Sequence, residues 1–168
     1  MNFKKSIFSL ALTAFVVMAG FAQEKASPAK VAEGTVGGSK ITINYSSPAV
    51  KGRVIWGELV PLGEVWRAGA NEATTFTTSK DITVQGQKLA AGTYSFFIIP
   101  GEGQSTFVFN KVAKQWGAFN YDSKEDVLRV NVPSGQSQTM EERLVYEVKP
   151  DGFEVRWEYG MAAAKIGS

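Results

Sequence analysis

The chemistry open to this chain is that of carboxylates, lysines, arginines, tyrosines and hydroxyls, because its 168 residues contain no histidine and no cysteine. Without them there is no Ser-His-Asp or Cys-His nucleophile, no thiol redox couple and no zinc site built on thiolate or imidazole. Hydrolysis by paired carboxylates remains, and it needs two of them across a cleft, one protonated and one ionised. Glu58, Glu64, Glu72, Asp122, Glu125 and Asp126 form the pool, with no diagnostic spacing among them. Asp122-x-x-Glu125-Asp126 offers oxygens to a hard cation but lacks the glycine and terminal glutamate of a calcium loop, so it reads as a solvated acidic turn. No metal and no cofactor are expected. No P-loop, Gly-x-Gly-x-x-Gly turn or Gly-x-Ser-x-Gly elbow stands at a strand-to-helix junction. Whether the chain is an enzyme stays open.

Binding chemistry gathers in two stretches that break the strand pattern. The connection Pro48–Ala73 carries Trp56 and Trp66 among glycines, prolines and alternating charges. A connection this long inside a compact domain is either functional or a packed Ω-type cover. Within it, Arg67 and Glu72 are separated by Ala68-Gly69-Ala70-Asn71 and meet as a bidentate pair if the glycine turns the chain back. In the alternative, Arg67, Asn71 and Glu72 line a pocket walled by Trp56 and Trp66, with the guanidinium facing an anionic or sugar ligand. Asn71 also suits a left-handed backbone position. The second stretch sets Trp116 and Tyr121 beside Asn120 and Asp122. Its aromatics either close the open end of a sandwich or stack on a carbohydrate ring. The candidate ligand-binding residues are therefore Trp56, Trp66, Arg67, Asn71, Glu72, Trp116, Tyr121 and Asp122.

The elements that must position these residues are strands. Gly37-Gly38 and Gln85-Gly86 are two-residue hairpin signals, and Gly or Pro punctuates the chain again at Gly92, Pro100-Gly101, Pro133, Gly135 and Pro150-Asp151-Gly152. Between the turns lie β-rich runs, clearest at Thr93–Ile99, Thr106–Asn110, Val127–Val132, Glu142–Lys149 and Gly152–Tyr159. In the last, Phe153, Val155, Trp157 and Tyr159 alternate with Glu154, Arg156 and Glu158, so the aromatics are expected inward and the charges in water. Thr93–Ile99 is apolar on both faces, which predicts a central strand covered on both sides. Leu59–Trp66 and Val112–Trp116 have room for at most a turn of helix, and Met161–Ile166 reads as an edge strand or a tail. The fold class is all-β: one antiparallel β-sandwich or jelly-roll-like domain, with a closed small barrel as the runner-up. Its predicted core includes Phe96, Ile98, Phe107, Phe109, Leu144, Tyr146, Val155 and Trp157.

The first residues have the anatomy of a secretory signal: basic Lys4 and Lys5, an apolar stretch Ile7–Gly20, and small residues at Gly20 and Ala22. Cleavage before Gln23 is expected, which divides the chain into a signal at 1–22, a polar leader at 23–29 and the β domain at 30–168. A retained N-terminal anchor is the alternative. Periplasm or secretion is the expected destination, with no membrane insertion once the signal is removed, since no second apolar run of about 20 residues follows. Loss of Lys4 and Lys5 turns 18 Lys+Arg into 16 against 16 Asp+Glu, a formal charge of zero. Such a protein has no general attraction to nucleic acid or anionic lipid.

Gly52-Arg53-Val54-Ile55-Trp56-Gly57, Leu59-Val60-Pro61-Leu62-Gly63, the stretch Val65–Thr74 that contains Trp66-Arg67-Ala68-Gly69-Ala70-Asn71-Glu72-Ala73-Thr74, and Leu89–Ser95 together resemble domain-of-unknown-function family 2911, a family of exported bacterial proteins. The similarity runs from about Tyr45 to about Trp157. It implies fold and compartment, and it carries no catalytic assignment onto any residue. From the residues themselves, the expected function is a non-catalytic envelope module that binds a small or glycan-like ligand, or an envelope protein, through the two irregular stretches. Its rival is a hydrolase that uses a Glu/Asp pair with Arg67 as an electrostatic clamp.

Overall fold

The computed structural model describes residues 26–168, so the expected signal and the first residues of the expected leader lie outside the described residues. Nine strands follow in order: β1 (Ala29–Val36), β2 (Ser39–Ser46), β3 (Thr74–Thr78), β4 (Ile82–Val84), β5 (Gln87–Leu89), β6 (Gly92–Ile99), β7 (Gln104–Asn110), β8 (Asp126–Lys149) and β9 (Gly152–Gly167). They form one antiparallel sheet in the order β1-β2-β3-β6-β7-β8-β9-β4-β5. The hairpin signals hold: Gly37 and Gly38 have φ of 54° and 78°, and Gln85 and Gly86 have 49° and 79°. Positive φ at both turn positions matches the twist of the flanking strands, which is why these short links register β1 on β2 and β4 on β5.

Long strands make the sheet into a sandwich. β8 pairs with β7 as far as Pro133 and then, from Ser134, with β9. Register shifts between Gln136 and Glu141 and between Glu141 and Val145 bend it. β9 bends as well. Glu158 has φ of 53°, and beyond it the strand returns until the Ile166 amide donates to the Asp151 carbonyl at 2.9 Å. Phe153 of β9 thereby reaches Phe76, Phe96 and Phe107 of the opposing strands at ring separations of 5.1, 5.7 and 5.5 Å. All eight predicted core residues are buried, and burial of each aliphatic or phenylalanine side chain among them contributes about 1.5–3 kcal/mol. At the other end of β8, the Leu144 amide donates to the Pro48 carbonyl at 3.0 Å and the Val50 amide to the Glu142 carbonyl at 2.7 Å. The chain leaving β2 is thus stitched to β8.

β6 is covered on both faces, as its composition predicts. Phe96 and Ile98 enter the main core, while Phe97 and Val108 form a second cluster with Ala73 beneath Val65, Ala118 and Tyr121. The two irregular stretches are therefore the cover of the outer face of β6 and β7.

Three local expectations are corrected. Tyr159 is 50% exposed, because the positive φ at Glu158 breaks the two-residue period one step earlier. Glu154 is 6% exposed instead of in water, its carboxylate held by Lys149 at 2.6 Å and by Arg156. Neither Leu59–Trp66 nor Val112–Trp116 forms a helical turn. Among the described residues helix is confined to a 3-10 turn at Ser123–Glu125, whose first amides are met by the Asp122 side chain. No helix of these residues is long and apolar enough to cross a membrane. Met161–Ile166 continues β9 and pairs with β8 and β4.

Candidate functional site

Three of the tryptophans meet at one place. Trp66 is fixed on β6 by a pair of backbone hydrogen bonds with Ile98, at 2.8 and 3.0 Å. Its ring stacks on Trp157 of β9 with centroids 5.9 Å apart and planes 14° from parallel. Trp56 stands edge-on to both, at 5.8 and 6.3 Å, and its Nε1–H donates to the Trp157 carbonyl at 3.3 Å. Room for Trp56 comes from Gly160, where a Cβ would lie 2.5 Å from the indole. The bend of β9 and the cover of β6 are both needed to assemble this cluster.

Two hollows share its stacked pair. The first, about 520 Å³, is walled by Trp56, Trp66, Ile98, Val155, Trp157 and Met161, with Glu102, Gln136, Glu158 and Tyr159 among its polar neighbours. It is mostly apolar with a few polar groups, the general character of a small-molecule site. The second, about 480 Å³, is lined by Trp66 and Trp157 again, but also by Lys51, Arg53, Arg67 and Asn71. No carboxylate lines it.

Arg67 does not pair with Glu72, which overturns the structural expectation for that loop: among the described residues no ion pair joins them, and Glu72 is exposed. The loop closes on Thr74 instead. The Thr74 amide donates to the Arg67 carbonyl at 3.2 Å, and the Ala68 carbonyl accepts from both the Thr74 hydroxyl at 2.9 Å and the Tyr146 hydroxyl at 2.7 Å. Burial holds the Tyr146 phenol well above its ordinary range, so that hydroxyl keeps its proton and donates. Ala68 and Asn71 take left-handed backbone positions, with φ of 55° and 60°. Asn71 is thus in the conformation its residue type suits. With the turn made by backbone and hydroxyls, the guanidinium is left over: Arg67 Nε is buried with no hydrogen-bond partner.

The second irregular stretch runs beside the first. The Gly117 amide donates to the Asn71 carbonyl at 3.1 Å, the Ala73 amide donates to the Gln115 carbonyl at 3.0 Å, and Glu72 bridges to Trp116. Glu72, Trp116, Tyr121 and Asp122 line neither hollow. Trp116 is 58% exposed and Phe119 81%. Tyr121 is anchored: its ring lies 5.0 Å from Phe97, and its hydroxyl donates to Asp126 Oδ2 and accepts from Arg129 Nη2, both at 2.5 Å. Burial, and then the hydrogen bond to Asp126, push this phenol up to about 12. Asp122 Oδ1 accepts from the Lys124 amide at 2.9 Å. The acidic turn is less solvated than its sequence implies, since Asp126 also accepts from Asn110 at 2.9 Å and Glu125 pairs with Lys111 at 2.9 Å.

Of the eight candidates, the structure sets Trp66, Arg67 and Asn71 on the cationic hollow and Trp56 and Trp66 on the apolar one. Lys51, Trp157 and Met161 escape sequence reasoning as site residues. The pair Lys51 and Arg53 in the same connection is the signal that was available; Trp157 is legible only as core, because its contact with Trp66 depends on the bend in β9.

Comparisons with curated proteins and with solved structures find no significant match. A family model does match, over residues 27–166, and its description is "protein of unknown function (DUF2911)". That span takes in all nine strands except the last residue of β9, together with both irregular stretches, and the chain accordingly belongs to the DUF2911 family.

Proposed function

We propose that this protein is an exported, non-catalytic envelope module that binds a small, glycan-like ligand at the tryptophan cluster. One observation carries the proposal: the Trp66–Trp157 stack lines both hollows, so aromatic surface is available at a concave site held by the sheet. Flat rings in such a place suit the apolar face of a sugar, and Gln136 and Glu158 stand near enough to the apolar walls to receive its hydroxyls. An envelope protein as partner has less support, since the best-formed features are concave. The hydrolase alternative has less support too. Arg67 lines the hollow that has no carboxylate, whereas Glu102 and Glu158 line the other.

A thermal-shift screen of neutral oligosaccharides and small metabolites tests the binding. Ligand at a hundredfold excess over Kd is expected to add about 2.7 kcal/mol of apparent stability. That shift should vanish in Trp56→Ala protein that still folds. Absence of any hit would remove the small-ligand function, and turnover of a glycoside that Glu158→Gln abolishes would replace binding with hydrolysis. For export, mass spectrometry of secreted or periplasmic protein should find Gln23 at the N-terminus; an intact Met1 in a membrane fraction would refute it.

A further inference from the structure

We propose that the cationic hollow is a site for an anionic oxygen group, the carboxylate or phosphate of a small ligand, held by the Arg67 guanidinium with Lys51 beside it. The site deepens the binding function proposed above and rests on it, because Trp66 and Trp157 belong to both hollows.

Arg67 differs from every other arginine in residues 26–168. Arg53 donates to the Val50 and Ala49 carbonyls, Arg129 to Asp126, Arg143 to the Ser47 carbonyl, and Arg156 to Glu141 and Glu147. Arg67 is half-buried, has neither an ion pair nor a side-chain hydrogen bond among the described residues, and its Nε is buried without an acceptor. Buried donors are nearly always satisfied, so one that is not calls for an acceptor from outside the chain. Trp157 repeats the observation: its Nε1–H has no acceptor either, and it lines the same hollow. A guanidinium presents a planar fork of donors that fits carboxylate and phosphate oxygens two at a time.

Charge points the same way. Lys51, Arg53 and Arg67 line the hollow, no Asp or Glu does, and a concave surface of one sign concentrates its field on an incoming ion. Its volume of about 480 Å³ suits a small molecule. The apolar hollow across the shared tryptophans would then take the neutral part of such a ligand, as in an acidic or phosphorylated sugar.

Calorimetric titration of the mature protein at constant ionic strength tests the site, with inorganic phosphate and glucuronate as probes and sodium chloride as control. Binding of one probe at one site per chain is expected, and the probe that binds names the group: phosphate or carboxylate. Kd should rise about tenfold or more in Arg67→Gln and in Lys51→Asn, the loss expected for one charge-assisted contact. Lys51→Asn guards against misfolding of the first variant, since Lys51 has φ of 50°, a conformation asparagine accepts readily. Saturation by neither probe, or equal affinity in wild type and both folded variants, would overturn the proposal. Neutral-sugar shifts separate it from the binding function as a whole. If they persist in wild type while both anions fail, the anion site alone is lost; if they vanish in Trp56→Ala but survive in Arg67→Gln, the two hollows act separately as proposed.

Discussion

At Arg67 the backbone and the side chain have separate tasks. The carbonyl groups of Arg67 and Ala68 hold the turn, through the Thr74 amide and the hydroxyls of Thr74 and Tyr146, while the guanidinium takes no part in closing it. Glu72 is exposed and joined to no cation among the described residues. Glu72→Ala is therefore expected to change stability by less than about 0.5 kcal/mol, as for an ordinary surface substitution. Tyr146→Phe deletes a buried hydrogen bond and should cost about 0.5–1.5 kcal/mol. Denaturant midpoints measure both, and a larger loss in Glu72→Ala than in Tyr146→Phe would restore the ion pair as the pin. A sequence displays the charges of Arg67 and Glu72 but not the hydroxyl of a residue 78 positions away, which is why the pair looked like the closure.

Among the elements, β9 decides whether the site exists. Its two arms approach so closely that a Cβ on Gly152 would lie 2.0 Å from the Ala164 carbonyl oxygen and 3.0 Å from Lys165 Cα. Those neighbours are backbone atoms and cannot rotate away. Gly152→Ala must push the arms apart, and since overpacking in a core already costs about 1–3 kcal/mol, a loss at the top of that range or beyond is expected. The same displacement should alter the near-ultraviolet circular dichroism of the tryptophans, because Trp157 lies on the first arm and Gly160, beneath Trp56, lies on the second. Wild-type stability with an unchanged tryptophan spectrum would show that the arms do not meet. The strand itself is legible in the alternation Phe153, Val155, Trp157, but the bend after Glu158 is a contact between distant parts of one strand, and it is where the two-residue period fails.

For the whole molecule, tyrosine protonation sets an alkaline limit. The phenols of Tyr45, Tyr94, Tyr121 and Tyr146 are all raised, each by burial first, and Tyr121 to about 12. A raised pKa in the folded state means that the folded chain holds the proton more tightly than the unfolded chain does. The corresponding stability is complete below the unfolded value of about 10 and is lost as pH rises through the folded values. Unfolding free energy should accordingly fall between pH 10 and about pH 12, the range set by Tyr121. Most of the tyrosinate absorbance should appear with loss of structure instead of before it. Early, reversible ionisation of all the tyrosines in a chain that stays folded would contradict this.

The sequence by itself determined what depends on local pattern. Two-residue periodicity and paired positive-φ turns are properties of neighbouring residues, so the all-β class, the hairpins at Gly37-Gly38 and Gln85-Gly86, and the core from Phe96 to Trp157 could be read from it. So could the two irregular stretches, because an aromatic-rich run without alternation is also a local fact. Tertiary structure alone decided which of their side chains share a space. Trp157 joins Trp66 because β9 folds back; Arg67 lacks a partner because Thr74 and Tyr146 close its loop; Tyr121 and Asp122 are consumed by Asp126, Arg129 and a 3-10 turn. Each of these is a competition among groups far apart in the chain for one hydrogen bond or one face of a ring. Only the folded geometry settles such competitions, because it fixes which donors and rings come within reach of one another.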